Sequence, residues 1–234
     1  MVLTLIKSLL LSVSLLGLLP TAFAADVAKT CTDLVLAKNY AEAATLCTAQ
    51  AKQGNAKAQF HLGFMYDNGR GVQQDYKQAV YWYTTAAEQG NADAQNTLGI
   101  MYDNGLGVIQ DYKQAIYWYS KAAEQGADDA QLNLGTLHED GLGVPQDYKQ
   151  AAYWYTKAAE QGNANAQYKL GLIYYFGSGA PKDNVMAHVW WSVAAVQGHV
   201  SSRKNRVILV TRMNPSQLKK AQELSKEYQQ KYVK

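Results

Sequence analysis

The sequence predicts an all-α protein built as a stack of helix–loop–helix units, on three observations. Four tryptophans, Trp82, Trp118, Trp154 and Trp190, stand 36 residues apart, and a whole cassette of other residues recurs with them. Such a period marks an array in which each unit buries its apolar face only by stacking on a neighbour. Each cassette also holds two segments of helical periodicity, divided by a glycine-bearing loop.

The units run 56–91, 92–127, 128–163 and 164–199 without gap or insertion. In the first, Gln59, Leu62, Gly63 and Tyr66 fall at i, i+3, i+4 and i+7, which is one face of a helix. Asn68, Gly69 and Gly71 tolerate the left-handed backbone that commonly ends helices, so a loop follows. Asp75 then offers its carboxylate to the amides of a second helix, with Gln78 placed to reach back as in a capping box. The stripe of that second helix is Ala79, Trp82, Tyr83, Ala86 and Ala87, and Gly90 ends it. Small residues such as Gly63 let helix backbones approach, and Trp82 and Tyr83 fill the space between them.

The cassette A-x-A-Q-x-x-L-G, a Met-Tyr-like pair, G-x-G-V, D-Y-K-Q-A, W-Y and A-A-E-Q-G resembles the Sel1-like repeat family, a branch of the tetratricopeptide-like solenoids. The resemblance covers 56–199, and a dozen positions match in each of several units. His138 replaces the Tyr102 of the preceding unit, and Asn184 and Val196 replace Tyr148 and Glu160 in the fourth. The resemblance implies a right-handed α/α superhelical solenoid whose first helices line the inner, concave surface. It also implies an adaptor in envelope processes, signalling or host contact.

Outside the array, residues 1–24 read as a secretory signal. Lys7 precedes an apolar run, Pro20 breaks it, and Ala22-Phe23-Ala24 offers a cleavage site, so the mature chain is expected to begin at Ala25. The run is short for a bilayer span, and no stable span is expected after cleavage. A shortened half unit at 25–55 carries both cysteines, Cys31 and Cys47, on two antiparallel helices, a pattern that in an exported chain favours a disulfide. Secreted relatives with cysteine-rich repeats bridge paired helices in this way. Structural zinc lacks ligands there, and no metal or cofactor is expected.

After His199 the 36-residue pattern is lost, and 200–234 reads as two capping helices with nine Lys and Arg against two Glu. That excess could attract an anionic envelope surface such as peptidoglycan. A solvated terminal face is the simpler explanation, with Glu227 and Lys231 as an i, i+4 pair. The net charge of +3 and the lack of an aromatic-basic motif give no sign of nucleic acid.

Chemistry is thinly represented. None of His61, His138, His188 and His199 has a metal-ligand partner at i+3 or i+4. His138-Glu139-Asp140 occupies a helix end. Two S-x-x-K matches, Ser201 to Lys204 and Ser216 to Lys219, lack the S-D-N and K-T-G elements of a β-lactam hydrolase. Without a nucleophile beside a base, the chain reads as non-catalytic, with a periplasmic hydrolase as the rival.

Positions that vary between units form a second stripe on the first helices, at 57, 60, 61, 64 and 68 and their counterparts. The candidate partner-binding residues are Phe60, His61, Phe64 and Asn68; Asn96, Ile100 and Asn104; Asn133, Thr136 and Asp140; and Tyr168, Lys169, Leu172 and Phe176. Aromatic anchors among amides and charges suit a peptide or protein segment. Leu132 and Leu172 fit packing between units equally well.

Overall fold

The computed structural model describes residues 30–233, so the signal segment expected at 1–24 lies outside the described residues. Twelve helices follow one another: α1 (Cys31–Leu36), α2 (Tyr40–Lys52), α3 (Ala56–Asn68), α4 (Tyr76–Glu88), α5 (Ala92–Asn104), α6 (Tyr112–Glu124), α7 (Asp128–Asp140), α8 (Tyr148–Glu160), α9 (Ala164–Phe176), α10 (Asn184–Val196), α11 (Val200–Val210) and α12 (Pro215–Tyr232). From α2 to α11 each packs on its predecessor, and the strongest pairings are α3 with α4, α5 with α6, α7 with α8 and α9 with α10. The chain is an all-α solenoid.

Asn55, Asn91 and Asn163 cap the first helices, each accepting a backbone N–H from three residues on. Gly69, Gly105, Gly141 and Gly177 end those helices in the left-handed conformation that a Cβ would strain. Asp75, Asp111, Asp147 and Asp183 cap the second helices through two N–H groups each. The reciprocal half of the expected capping box does not form. The Asp75 N–H donates to the Tyr66 carbonyl at 2.9 Å, so no group is left for Gln78 to satisfy.

The core is made where second-helix aromatics meet first-helix glycines. A Cβ on Gly63 would stand 2.7 Å from the Tyr83 ring, and one on Gly99 would stand 2.5 Å from Tyr119. Tyr83, Tyr119 and Tyr155 are buried, and Trp191 takes the same place in the fourth unit. The tryptophan beside each tyrosine reaches back instead: Trp118 joins the core formed by α4 and α5, and Trp190 that of α8 and α9.

A buried glutamine stitches successive helices. Gln95 Nε2 donates to the Ala87 carbonyl at 3.0 Å, a second donor beside the Gly90 N–H at the end of α4, and its Oε1 accepts from Gln125 at the end of α6. Gln59, Gln131 and Gln167 repeat both bonds.

At the N-terminal end the disulfide joins Cys31 and Cys47, Cα to Cα 4.8 Å, with both residues buried against α3. At the other end the array continues geometrically where its sequence pattern fades. His199 caps α11 as Asn163 caps α9, and Leu209 is buried where Ile173 is buried one unit earlier. Val207, however, replaces the glycine of Gly63, Gly99, Gly135 and Gly171. A valine there leaves no seat for a second-helix aromatic, and α12 lies along α10 rather than beside α11. Ser225 and Gln229 of α12 meet His188 and Ser192 of α10, each 37 residues on, and Tyr228 and Tyr232 cover Trp190. Lys231 stands over the Tyr232 ring at 4.8 Å, in place of the pair expected with Glu227.

Candidate binding face of the first helices

The varied stripe occupies one face of α3, α5, α7 and α9, between the two capped helix ends. Its members differ in how far they join the core. Phe60 is half-buried, with its ring 5.8 Å from Tyr83 and 5.4 Å from His61. Phe64 packs against the cores on both sides of it, under the Arg70 guanidinium at 5.1 Å. Burial lowers the His61 pKa, which keeps that ring neutral near pH 7. Tyr168 stacks on His199 at 4.6 Å, and its carbonyl accepts from Trp191 Nε1 at 3.2 Å. Leu172 packs near Trp191 and Leu132 on the core of α8 and α9. These residues carry part of the fold.

Others are free for contact. Ile100 is 36% exposed and Phe176 is 67% exposed, the latter an apolar ring at the end of α9. Asn68 and Asn104 are exposed, and each donates Nδ2 to the carbonyl four residues back at 2.9 Å, which leaves Oδ1 as an acceptor. Asp140 is exposed, and Asn133 donates to Asn96 Oδ1 at 3.4 Å across the unit boundary. Thr136 Oγ1 accepts from Tyr155 Oη at 3.3 Å, and Lys169 Nζ lies 2.6 Å from Glu139 Oε2.

The structure adds a row of acids that the sequence reading assigned to no site. Tyr83 Oη donates to Asp67 at 3.4 Å, Tyr119 Oη to Asp103 at 3.4 Å, and Tyr155 Oη to Glu139 at 2.5 Å. Burial raises the pKa of Asp67 and of Asp103, while the tyrosine hydroxyls act in the opposite direction. The tyrosines are pushed far above their usual range, first by burial and then by the neighbouring carboxylate. These acids recur almost unchanged, so a comparison of units reads them as adhesive. The signal that could have found them is the acid placed 16 residues before each buried tyrosine.

The S-x-x-K residues Ser201, Lys204, Ser216 and Lys219 are all exposed, on α11 and α12. Among the described residues no group of three or more His, Cys, Asp and Glu is placed to hold a metal ion. What the face offers is apolar rings, amide oxygens and carboxylates, which are means of recognition. No described helix is long and apolar enough to cross a membrane.

The Sel1 repeat model matches residues 56–91, 92–126, 128–163 and 164–199. The chain belongs to the Sel1 repeat family. No curated protein matches it. Among solved structures it is similar to c5321, a protective antigen of uropathogenic Escherichia coli strains displaying an SLR fold. That match has 41% identity and a TM-score of 0.76, covering 82% of this chain and 41% of c5321. A Sel1 repeat protein of Oxalobacter formigenes is 37% identical over 75% of this chain and 72% of its own, with a TM-score of 0.70. A Sel1 repeat protein of Klebsiella pneumoniae, at 22% identity and a TM-score of 0.51, shares the fold. The chain thus spans less than half the length of c5321. Sel1 repeat proteins are commonly protein-interaction scaffolds and generally lack enzymatic activity.

Proposed function

We propose that the chain is a non-catalytic adaptor of the bacterial envelope that holds a peptide or protein segment on the face of its first helices, the concave face of the solenoid. One observation carries this reading. At stripe position 64 the side chain changes in every unit, and at 68 it passes from Asn68 and Asn104 to Asp140 and Phe176; of these Ile100, Asn68, Asn104, Asp140 and Phe176 stand exposed outside the core. A face whose chemistry differs along the stack suits a partner of defined sequence. The Cys31–Cys47 bridge supports an exported chain, because such bonds persist in oxidising compartments. The basic excess of 200–234 is compatible with a place near an anionic envelope surface.

The reading is tested by a photo-crosslinking residue at Ile100 or Phe176, expressed in the native envelope, with a control at Tyr81 on the second-helix surface. One protein captured from the first two positions and not from the third is expected. Capture that is equal at all three would defeat the assignment of the face. Substitutions Ile100→Glu and Phe176→Glu should abolish capture with little change in melting temperature, since neither side chain is buried.

A further inference from the structure

In the third unit the first-helix face already holds an ammonium group. Lys169 Nζ lies 2.6 Å from Glu139 Oε2 and 5.8 Å from the Tyr155 ring, and Tyr155 Oη donates to the same carboxylate oxygen. The acceptor half of this arrangement recurs as Asp67 with Tyr83 and as Asp103 with Tyr119. The donor half does not. Glu139 takes its cation from the residue 30 positions on, and the residues 30 positions after Asp67 and Asp103 are Thr97 and Asn133. Neither is charged, and each bonds elsewhere: Thr97 Oγ1 to the Asp93 carbonyl at 2.8 Å, Asn133 Nδ2 to Asn96. Both carboxylates stand in the last turn of their helices, α3 and α5, where the helix dipole favours a cation.

We propose that Asp67 with Tyr83, and Asp103 with Tyr119, are seats for two lysine ammonium groups of an extended partner segment, the lysines standing three residues apart. This rests on the reading of the first-helix face as the binding surface. The spacing follows from the stack. First helices of successive units are neighbours through side chains, as Asn133 with Asn96 and Lys169 with Glu139 show; neighbouring helices lie about 10 Å apart, and three residues of extended or polyproline chain span about 9–10 Å. The Oδ1 atoms of the exposed Asn68 and Asn104, set one unit apart, are acceptors for backbone N–H groups, which an extended segment presents and a helix does not. Ile100, one turn before Asp103 on α5 and 36% exposed, supplies the apolar contact. Burial makes both aspartates poorer anions than they would be in water, so an incoming cation gains from the same environment that penalises them alone.

The test measures anisotropy of a fluorescein-labelled peptide with a Lys-Pro-Pro-Lys core on the purified protein. Controls are the same peptide with both lysines acetylated and a Lys-Pro-Lys peptide one residue shorter. The first should bind at least about tenfold more tightly than either control, a factor that corresponds to about 1.4 kcal/mol. Asp67→Asn and Asp103→Asn, which keep an oxygen for the tyrosine to donate to, should each weaken it about tenfold and flatten its salt dependence. Thr97→Lys and Asn133→Lys build the third unit's ion pair into the first two, and should block the peptide while leaving the melting temperature unchanged or higher. Equal binding of acetylated peptide, or binding that Thr97→Lys leaves intact, would overturn the lysine seats. If Ile100 crosslinking of the native partner survives in the Thr97→Lys, Asn133→Lys double variant, the seats fall and the face stands. If wild-type crosslinking at Ile100 is no stronger than at Tyr81, it is the face that falls.

Discussion

Trp191 lays its indole directly on the backbone of Gly171, and the corresponding pair in the next unit is missing because Val207 stands in the glycine's place. The contrast explains why α12 leaves α11 and settles on α10. It also identifies the glycines as the positions on which second-helix docking depends. Gly99→Ala would bring a methyl to 2.5 Å from the Tyr119 ring, which must move. Overpacking of this kind costs about 1–3 kcal/mol, only partly offset by alanine's better helix propensity. Denaturant melts should show the loss, and Gly90→Ala, where no atom lies near but φ is +89, should separate backbone strain from crowding.

Gln95→Leu is expected to be worse than its volume suggests. It takes one of two donors from the Ala87 carbonyl, which keeps the Gly90 N–H at 3.0 Å, and removes the acceptor of the exposed Gln125 amide. Each hydrogen bond lost costs about 0.5–1.5 kcal/mol net. Equilibrium unfolding should show a fall in midpoint with the slope unchanged. A neutral result would mean that water replaces both bonds.

Reduction should loosen the N-terminal end first. The bridge closes a loop with a sequence separation of 16, for which the chain-entropy model gives about 3 kcal/mol. Hydrogen exchange in α1 and α2 should rise on reduction before that in α5 to α8 changes.

Acid should weaken the C-terminal end through His188. Its Nδ1 lies 3.3 Å from both Ser192 Oγ and Ser225 Oγ, and burial, with help from Arg206, takes its pKa down to about 4. The unfolded chain binds this proton at the ordinary value of 6.5, so between about pH 6.5 and 4 the unfolded state holds more protons. Stability contributed here is present above pH 6.5 and falls as pH drops toward 4. Thermal melts across this range should show the fall, and His188→Gln should reduce it.

The sequence shows the array, its helix boundaries and the stapled first unit, because a repeated cassette makes every local signal appear four times. It predicts α11 as a helix but not as a fifth first-helix, since the resemblance there survives only in capping and burial: His199 for Asn163, Leu209 for Ile173. The binding stripe is harder to read. Variation between units separates Ile100 and Phe176 from the core, but it also selects Phe60 and Phe64, which vary while packing against it. Charge at those two rings is therefore expected to lower the melting temperature, and Ile100 and Phe176 are the cleaner probes. Recurrence hides function in the opposite sense at Asp67 and Asp103, and at Tyr81, Tyr117 and Tyr153, which are largely exposed although they repeat.

The glutamine stitch gives this scaffold an adjustable length. Gln95 and Gln131 each tie to the unit before and accept from the helix after, through bonds of the same kind. Excising 92–127 would set Gln131 opposite Ala87 and restore the glutamine seam, so cassettes can be lost or duplicated without inventing a new interface for it. Each such event would also delete or insert one step of the recognition face, making partner range a matter of counting units.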